Sequence, residues 1–183
     1  MRRLLDRFYL GCMILSCTSI VLIVAIVFLQ VVLSTVDVIA SMLGLPGFGI
    51  MIPSYSMFSG YGLAFATFLA LGPAIRHGAH IRVTLIQGRL PQGIQKIVFV
   101  LIALAGTIAG ALITWALLDM TYESWDFGDR SSGLIAVPLW IPQFVLCLGA
   151  FAFLVACADV LVETLTGRAH ILSQQPTEEG NYE

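Results

Sequence analysis

Charge is what this chain has least of. Of its 183 residues, 11% are charged and 58% are hydrophobic, and the mean hydropathy is +0.94. A soluble domain of this size carries about 25% charged residues. So thin a polar inventory cannot cover a folded surface in water, and the class implied is an integral membrane protein. The formal net charge of −2 comes with no large basic patch, so no nucleic-acid partner is expected. Cysteine is equally uninformative as chemistry. Cys12, Cys17, Cys147 and Cys157 all lie within apolar runs and none forms a C-x-x-C pair. They read as small apolar residues and not as a disulfide or metal set. Histidine is missing from the apolar runs, since His77, His80 and His170 fall at or beyond their edges. A bis-histidine haem needs facing histidines inside a bundle, so no cofactor is expected. No nucleophile–base arrangement is visible, which argues against an enzyme. There is no internal repeat of the kind that builds an inverted-repeat transporter core.

What is present is four long apolar runs, at about 8–33, 54–75, 97–118 and 139–165. Crossing a bilayer takes about 20 apolar residues, and an isolated span satisfies its backbone only as a helix. The fold class expected is therefore all-α integral membrane, with four transmembrane helices in one domain over 1–170. The polar tail 171–183 has no apolar periodicity and is expected to be disordered. The amino end, Met1-Arg2-Arg3-Leu4-Leu5-Asp6-Arg7, resembles the charged region of a signal peptide. The apolar run that follows is too long for one and no small-x-small cleavage site follows it, so it reads as a retained first span.

The cations fix an expected orientation. Arg2, Arg3 and Arg7 precede the first run, Arg76, Arg82, Arg89 and Lys96 lie between the second and third, and Arg168 follows the fourth. Only Arg130 falls on the other side, so eight of nine cations share one face. Basic residues favour the cytoplasm, which places both termini and the 76–96 stretch on the cytoplasmic side of the membrane. Asp37, Asp119, Glu123, Asp126 and Asp129 then make the outer face acidic.

The 76–96 stretch is amphipathic. Ile81, Leu85 and Ile86 cluster on one side of a helix, and Arg82, Arg89 and Lys96 recur every seven residues on a nearly constant face. This spacing predicts a short helix lying in the inner interface between spans 2 and 3, with its cations near phospholipid headgroups or a subunit. A solvated loop with ordinary positive-inside charge is the alternative. Arg76 and His80 belong to the same arm, His80 as an interfacial hydrogen bonder. Gly72-Pro73 is expected to interrupt span 2 and kink it towards the arm.

Three further groups stand out. Gly60 and Gly62 in span 2, and Gly106 and Gly110 in span 3, form faces on which helix backbones can approach closely. They serve either docking to another subunit or packing within the unit. Tyr55, Trp125 and Trp140 fall near outer span ends, at headgroup depth. Asp159 and Glu163 are four apart near the inner end of span 4. They are candidates for a cation site, or else they snorkel or pair with Arg168 or the arm cations.

A resemblance then emerges. Phe68-Leu69-Ala70, Arg76-His77-Gly78-Ala79-His80-Ile81-Arg82-Val83, Leu90-Pro91 and Pro138-Leu139-Trp140-Ile141-Pro142-Gln143 resemble the small membrane subunit, DctQ-like, of tripartite ATP-independent periplasmic (TRAP) transporters. The resemblance implies a scaffold subunit of an ion-gradient-driven secondary transporter in a bacterial inner membrane. It implies a large membrane subunit that carries the substrate and sodium sites, and a periplasmic solute-binding protein that delivers an organic acid or related solute. The chain departs from the pattern at Ser56 and Met57, where the family has an acid, and at Thr84, where it often has Asp. The alternative from another class is a membrane anchor of a respiratory or redox complex, which would need histidines at span depth.

Overall fold

The structure, a computed structural model, describes residues 2–44, 49, 52–76 and 92–166. The arm positions His80, Arg82 and Arg89, together with Arg168 and the tail, lie outside the described residues, as does the side chain of Lys96. Four helices carry the described chain: α1 (Arg2–Met42), α2 (Tyr55–Arg76), α3 (Gln92–Asp126) and α4 (Trp140–Leu165). All four are long and apolar enough to cross a membrane. Among the described residues the only strand-like feature is an isolated antiparallel bridge between Arg130 and Pro138.

Two helices overshoot the apolar runs that announce them. The run in α1 weakens after Leu33, but the helix continues to Met42. Nothing before Met42 breaks it, because Thr35 turns its hydroxyl back onto the Val31 carbonyl (2.7 Å) and Ser41 onto Val38 (2.7 Å). Gly44 ends it in the left-handed region at φ 71°, its N–H donating to the Ser41 carbonyl, as helix ends commonly do. In α3 the helix likewise passes Leu118 and runs to Asp126, with Gly128 (φ 67°) as the first breaker. Asp119, Glu123 and Trp125 are therefore helical and not part of a loop. In α4, Trp140 is the first helical residue and Pro142 the third, where the missing N–H has no intrahelical partner. Gly72-Pro73 does not end the helix, since α2 continues through Pro73 to Arg76.

The helices form a row in the order α1–α2–α4–α3. Neighbours in the row pack along their lengths, and α1 otherwise only brushes α4, through Tyr9 against Ala156 and Cys157. The chain order puts α2 and α4 in the middle, running in the same direction, with α1 and α3 antiparallel on the flanks. The flanking helices are the long ones. At about 1.5 Å per residue, α1 spans about 60 Å, against a hydrocarbon core of about 30 Å. No more than 33% of any span's most apolar window is buried within the chain. The row thus presents apolar sides that only lipid or another apolar surface can cover.

Candidate functional site: two ends of the helix row

One end of the row holds Arg76, the start of α3 and Leu165; it is called the arm end here. The last turn of α2 presents Arg76, and α4 presents Asp159 and Glu163 one turn apart. The Arg76 Nη1 lies 2.7 Å from Asp159 Oδ2 and donates to Glu163 Oε1 at 3.4 Å. All three side chains are largely withdrawn from solvent, with exposures of 22%, 27% and 10%. The acidic pair is therefore bound to a cation of the arm stretch, one of the two partners the spacing allowed. Arg76 itself is turned into the chain and onto these acids. Beneath the pair, Tyr9, Ile75, Ala156 and Cys157 form a buried cluster that brings α1, α2 and α4 together.

The opposite end carries residues 127–139 and is called the cap end here. Leu139 N–H donates to the Asp129 carbonyl (3.0 Å) and Ser131 N–H to Val137 (2.9 Å). Ser131 Oγ accepts from the Val137 N–H at 3.0 Å. This loop folds back over the start of α2, where the Ile135 N–H donates to Ser54 Oγ (3.4 Å). A Cβ on Gly133 would stand 2.9 Å from Met57 Sδ and 3.0 Å from Ser54 Oγ. Ser54 holds a left-handed conformation (φ 59°) that a non-glycine residue adopts at some cost. So Ser54, with Met57 nearby, seats the loop near the position where the related pattern has an acid. Trp125 and Trp140 meet edge-to-face at 4.8 Å between ring centroids, and Tyr55 is exposed at the start of α2. Gln30, the polar interruption of the first run, is buried in α1, and its Oε1 accepts from the Ile52 N–H at 3.0 Å.

Between the ends, the glycines are placed unequally. A Cβ on Gly62 would meet the Ile23 side chain at 2.7 Å, one on Gly106 the Cys157 sulfur at 2.9 Å, and one on Gly110 the Leu154 Cα at 3.0 Å. These three are occupied by the chain's own helices, whereas Gly60 faces open space. The tightest approach was missed from sequence. A Cβ on Gly149 would stand 2.6 Å from the Phe68 carbonyl carbon, and one on Gly72 would stand 2.9 Å from the Ala152 carbonyl. Gly72 is thus a contact of α2 with α4. The available signal was a small residue in each helix, Gly72 and Gly149, but nothing in sequence pairs them.

The spans hold little that could bind a solute. Thr18, Ser19, Thr67, Thr107 and Thr114 all return their hydroxyls to carbonyls of their own helices, as isolated hydroxyls in helices do. Among the described span hydroxyls Ser16 reaches across, donating to the Ala66 carbonyl of α2 at 2.7 Å, and Ser59 Oγ is buried with no hydrogen-bond partner. Among the described residues no group of three potential metal ligands comes together.

Against this geometry, residues 48–167 match the family described as tripartite ATP-independent periplasmic transporters, DctQ component. The chain belongs to that family. Neither the curated proteins nor the solved structures compared with it include a match. The matched stretch takes in α2, α3 and α4 with both the arm and the cap loop, and leaves out all of α1. Membership makes this DctQ-family chain a multi-pass component of a transport system, and favours transport over the redox-anchor reading.

Proposed function

We propose that the chain is the scaffold subunit of a secondary transporter driven by an ion gradient, importing an organic acid or related solute. It supports a large membrane subunit, where the substrate and sodium sites reside, and works with a periplasmic solute-binding protein. It carries out no chemistry itself. The observation that carries the reading is family membership, together with spans in which most of the described hydroxyls bond back to their own helix. A protein that moved a charged solute through itself would need convergent polar groups at span depth.

In this reading the arm end faces the cytoplasm, following the eight-to-one division of cations. Arg82, Arg89 and Lys96 then meet headgroups or acidic groups of the large subunit, each cation contributing about 1 kcal/mol, with His80 a hydrogen bonder in the same interface. Of Gly60, Gly62, Gly106 and Gly110, Gly60 is the one left open for docking, and Tyr55, Trp125 and Trp140 sit at the outer interface.

The test is co-purification with reconstitution. Tagged chain should recover the large subunit, and liposomes should take up solute only when they hold both subunits and the binding protein. Sodium-dependent uptake by the chain alone would overturn the scaffold reading. Orientation is read on the same material in cells. In a background lacking Cys12, Cys17, Cys147 and Cys157, a cysteine at Gly128 should react with an impermeant thiol reagent from outside, and one at Gln175 should not.

A further inference from the structure

The seam between α3 and α4 opens, near the cap end, into a groove of about 290 Å³. It is lined by Leu118, Thr121, Tyr122, Trp125, Trp140 and Phe144. A water takes about 30 Å³, so the space suits a chain segment and not a single solvent molecule. Thr121 donates its hydroxyl back to the Leu117 carbonyl, which leaves Tyr122 and the two indoles to make the polar edge. The groove follows α3 from Leu118 to Trp125, about 10 Å at 1.5 Å per residue. Its inner end is apolar, since Leu118 closes the third apolar run and Phe144 lies within the fourth. Its outer end is the edge-to-face pair of Trp125 and Trp140, rings of the kind that settle at headgroup depth. The groove therefore crosses from hydrocarbon into the headgroup layer, which is about 5–7 Å deep on each side of a bilayer.

Charge identifies the headgroup. Asp119, Glu123 and Asp126 each follow a lining residue of α3 by one position, so they form a ridge along one edge of the groove. All three are exposed, and no ion pair between described residues involves them. Asp129 adds a fourth exposed carboxylate. Against them stands one exposed cation, Arg130, whose backbone is bridged to Pro138 two residues before Trp140. Four carboxylates and one guanidinium disfavour an anionic headgroup. They suit a zwitterionic one, with its ammonium towards the ridge and its phosphate towards Arg130. A primary ammonium brings three N–H donors to the carboxylates, which a quaternary one lacks. Tyr122 and Trp125 are 70% and 63% exposed, which leaves ring surface for the same cation. A partner helix seated here would have to bring its own cation to headgroup depth, whereas the lipid already carries one there.

We infer that the α3–α4 groove binds phosphatidylethanolamine. One acyl chain lies against Leu118 and Phe144, and the headgroup sits between the aromatic pair and the acidic ridge. Binding of this kind requires only that the helices span the bilayer, whichever end faces outward.

The experiment uses the full-length chain in detergent, carrying Trp115→Phe so that Trp125 and Trp140 report. The probe is phosphatidylethanolamine brominated on its acyl chains. Quenching of the two tryptophans should saturate, and equally brominated phosphatidylglycerol should bind about fivefold more weakly. Asp119→Asn, Glu123→Gln and Asp126→Asn together should erase that preference while quenching by either lipid persists. In intact membranes, a benzophenone side chain in place of Phe144 should capture lipid. Quenching that never saturates, equal binding of the two lipids, or a preference untouched by neutralising the ridge would overturn the inference. Capture of a protein in place of lipid would overturn it too, giving the groove to a partner subunit.

Discussion

Two seams run along opposite faces of α2, and they are built differently. Against α4 the contact is backbone on backbone, since Gly149 leaves no room for a Cβ beside Phe68 and Gly72 none beside Ala152. Against α1 the contact is made by side chains: Ile23 lies over Gly62, Cys12 packs with Leu69, and the Ser16 hydroxyl reaches Ala66. The difference bears on how apolar helices hold together where burial from water gives no drive. Close approach maximises dispersion between whole backbones and tolerates no added atom. Side-chain contact tolerates substitution, because an Ile or Leu end can rotate away. The middle of the row should therefore be the rigid part, and α1 the more adjustable flank.

The strongest way to break the comparison is to add atoms at the α2–α4 seam. Gly149→Leu forces the side chain into the Phe68 carbonyl, where no flexible group can yield. Overpacking of this kind costs about 3 kcal/mol. For a chain this size that corresponds to a fall in Tm of about 6–12 °C, read by tryptophan fluorescence in detergent. An unchanged Tm would mean that the two helices do not meet at this spacing.

The arm end of the same seam depends on charge and should respond less. Asp159→Asn with Glu163→Gln leaves Arg76 without a counter-charge, at a cost of about 2 kcal/mol, the loss of charge-assisted hydrogen bonds. Adding Arg76→Gln to that pair should restore part of the loss, because it removes the stranded charge. If the three substitutions simply add, Arg76 is not coupled to the acids and the double-mutant logic fails.

The sequence displayed the parts of this architecture more clearly than their pairing. Four spans, the first-turn position of Pro142 and the back-bonded hydroxyls follow from local chemistry, so they were legible residue by residue. Helix ends were less so, because hydropathy fades at Leu33 whereas a helix stops only at a breaker, here Gly44. The partner of Asp159 and Glu163 was not legible. Their four-residue spacing announces a shared face, but Arg76 and Arg168 are equally plausible from spacing alone. The row order was invisible, since it depends on which small residues face each other across separate helices. The seating of the cap loop on Ser54 was hidden too, because a left-handed serine carries no sequence signal. The arm residues His80, Arg82 and Arg89 lie outside the described residues, and their role remains part of the proposal.

A smaller effect probes the α1 seam. Ser16→Ala removes the single hydroxyl that crosses between described spans. Hydrogen bonds between membrane helices contribute about 0.6 kcal/mol on average, so Tm should fall by about 1–2 °C. A fall as large as that of Gly149→Leu would erase the distinction between the two seams.

The sharpest contrast lies within α2 itself, between Gly60 and Gly62. Gly62 faces Ile23, so Gly62→Leu must displace that side chain, and a Tm fall smaller than that of Gly149→Leu is expected because Ile23 can change rotamer. Gly60 has no atom within 4 Å of where its Cβ would stand. Gly60→Leu should leave the isolated chain's stability within about 0.5 kcal/mol, as surface substitutions do. In the assembled complex the same change should matter. If Gly60 is the small residue over which a helix of the large subunit passes, leucine there holds the two backbones apart. Recovery of the large subunit on co-purification should then fall while the Tm of the chain alone stays constant. Normal recovery would leave Gly60 facing lipid and move the docking face to another side of the row.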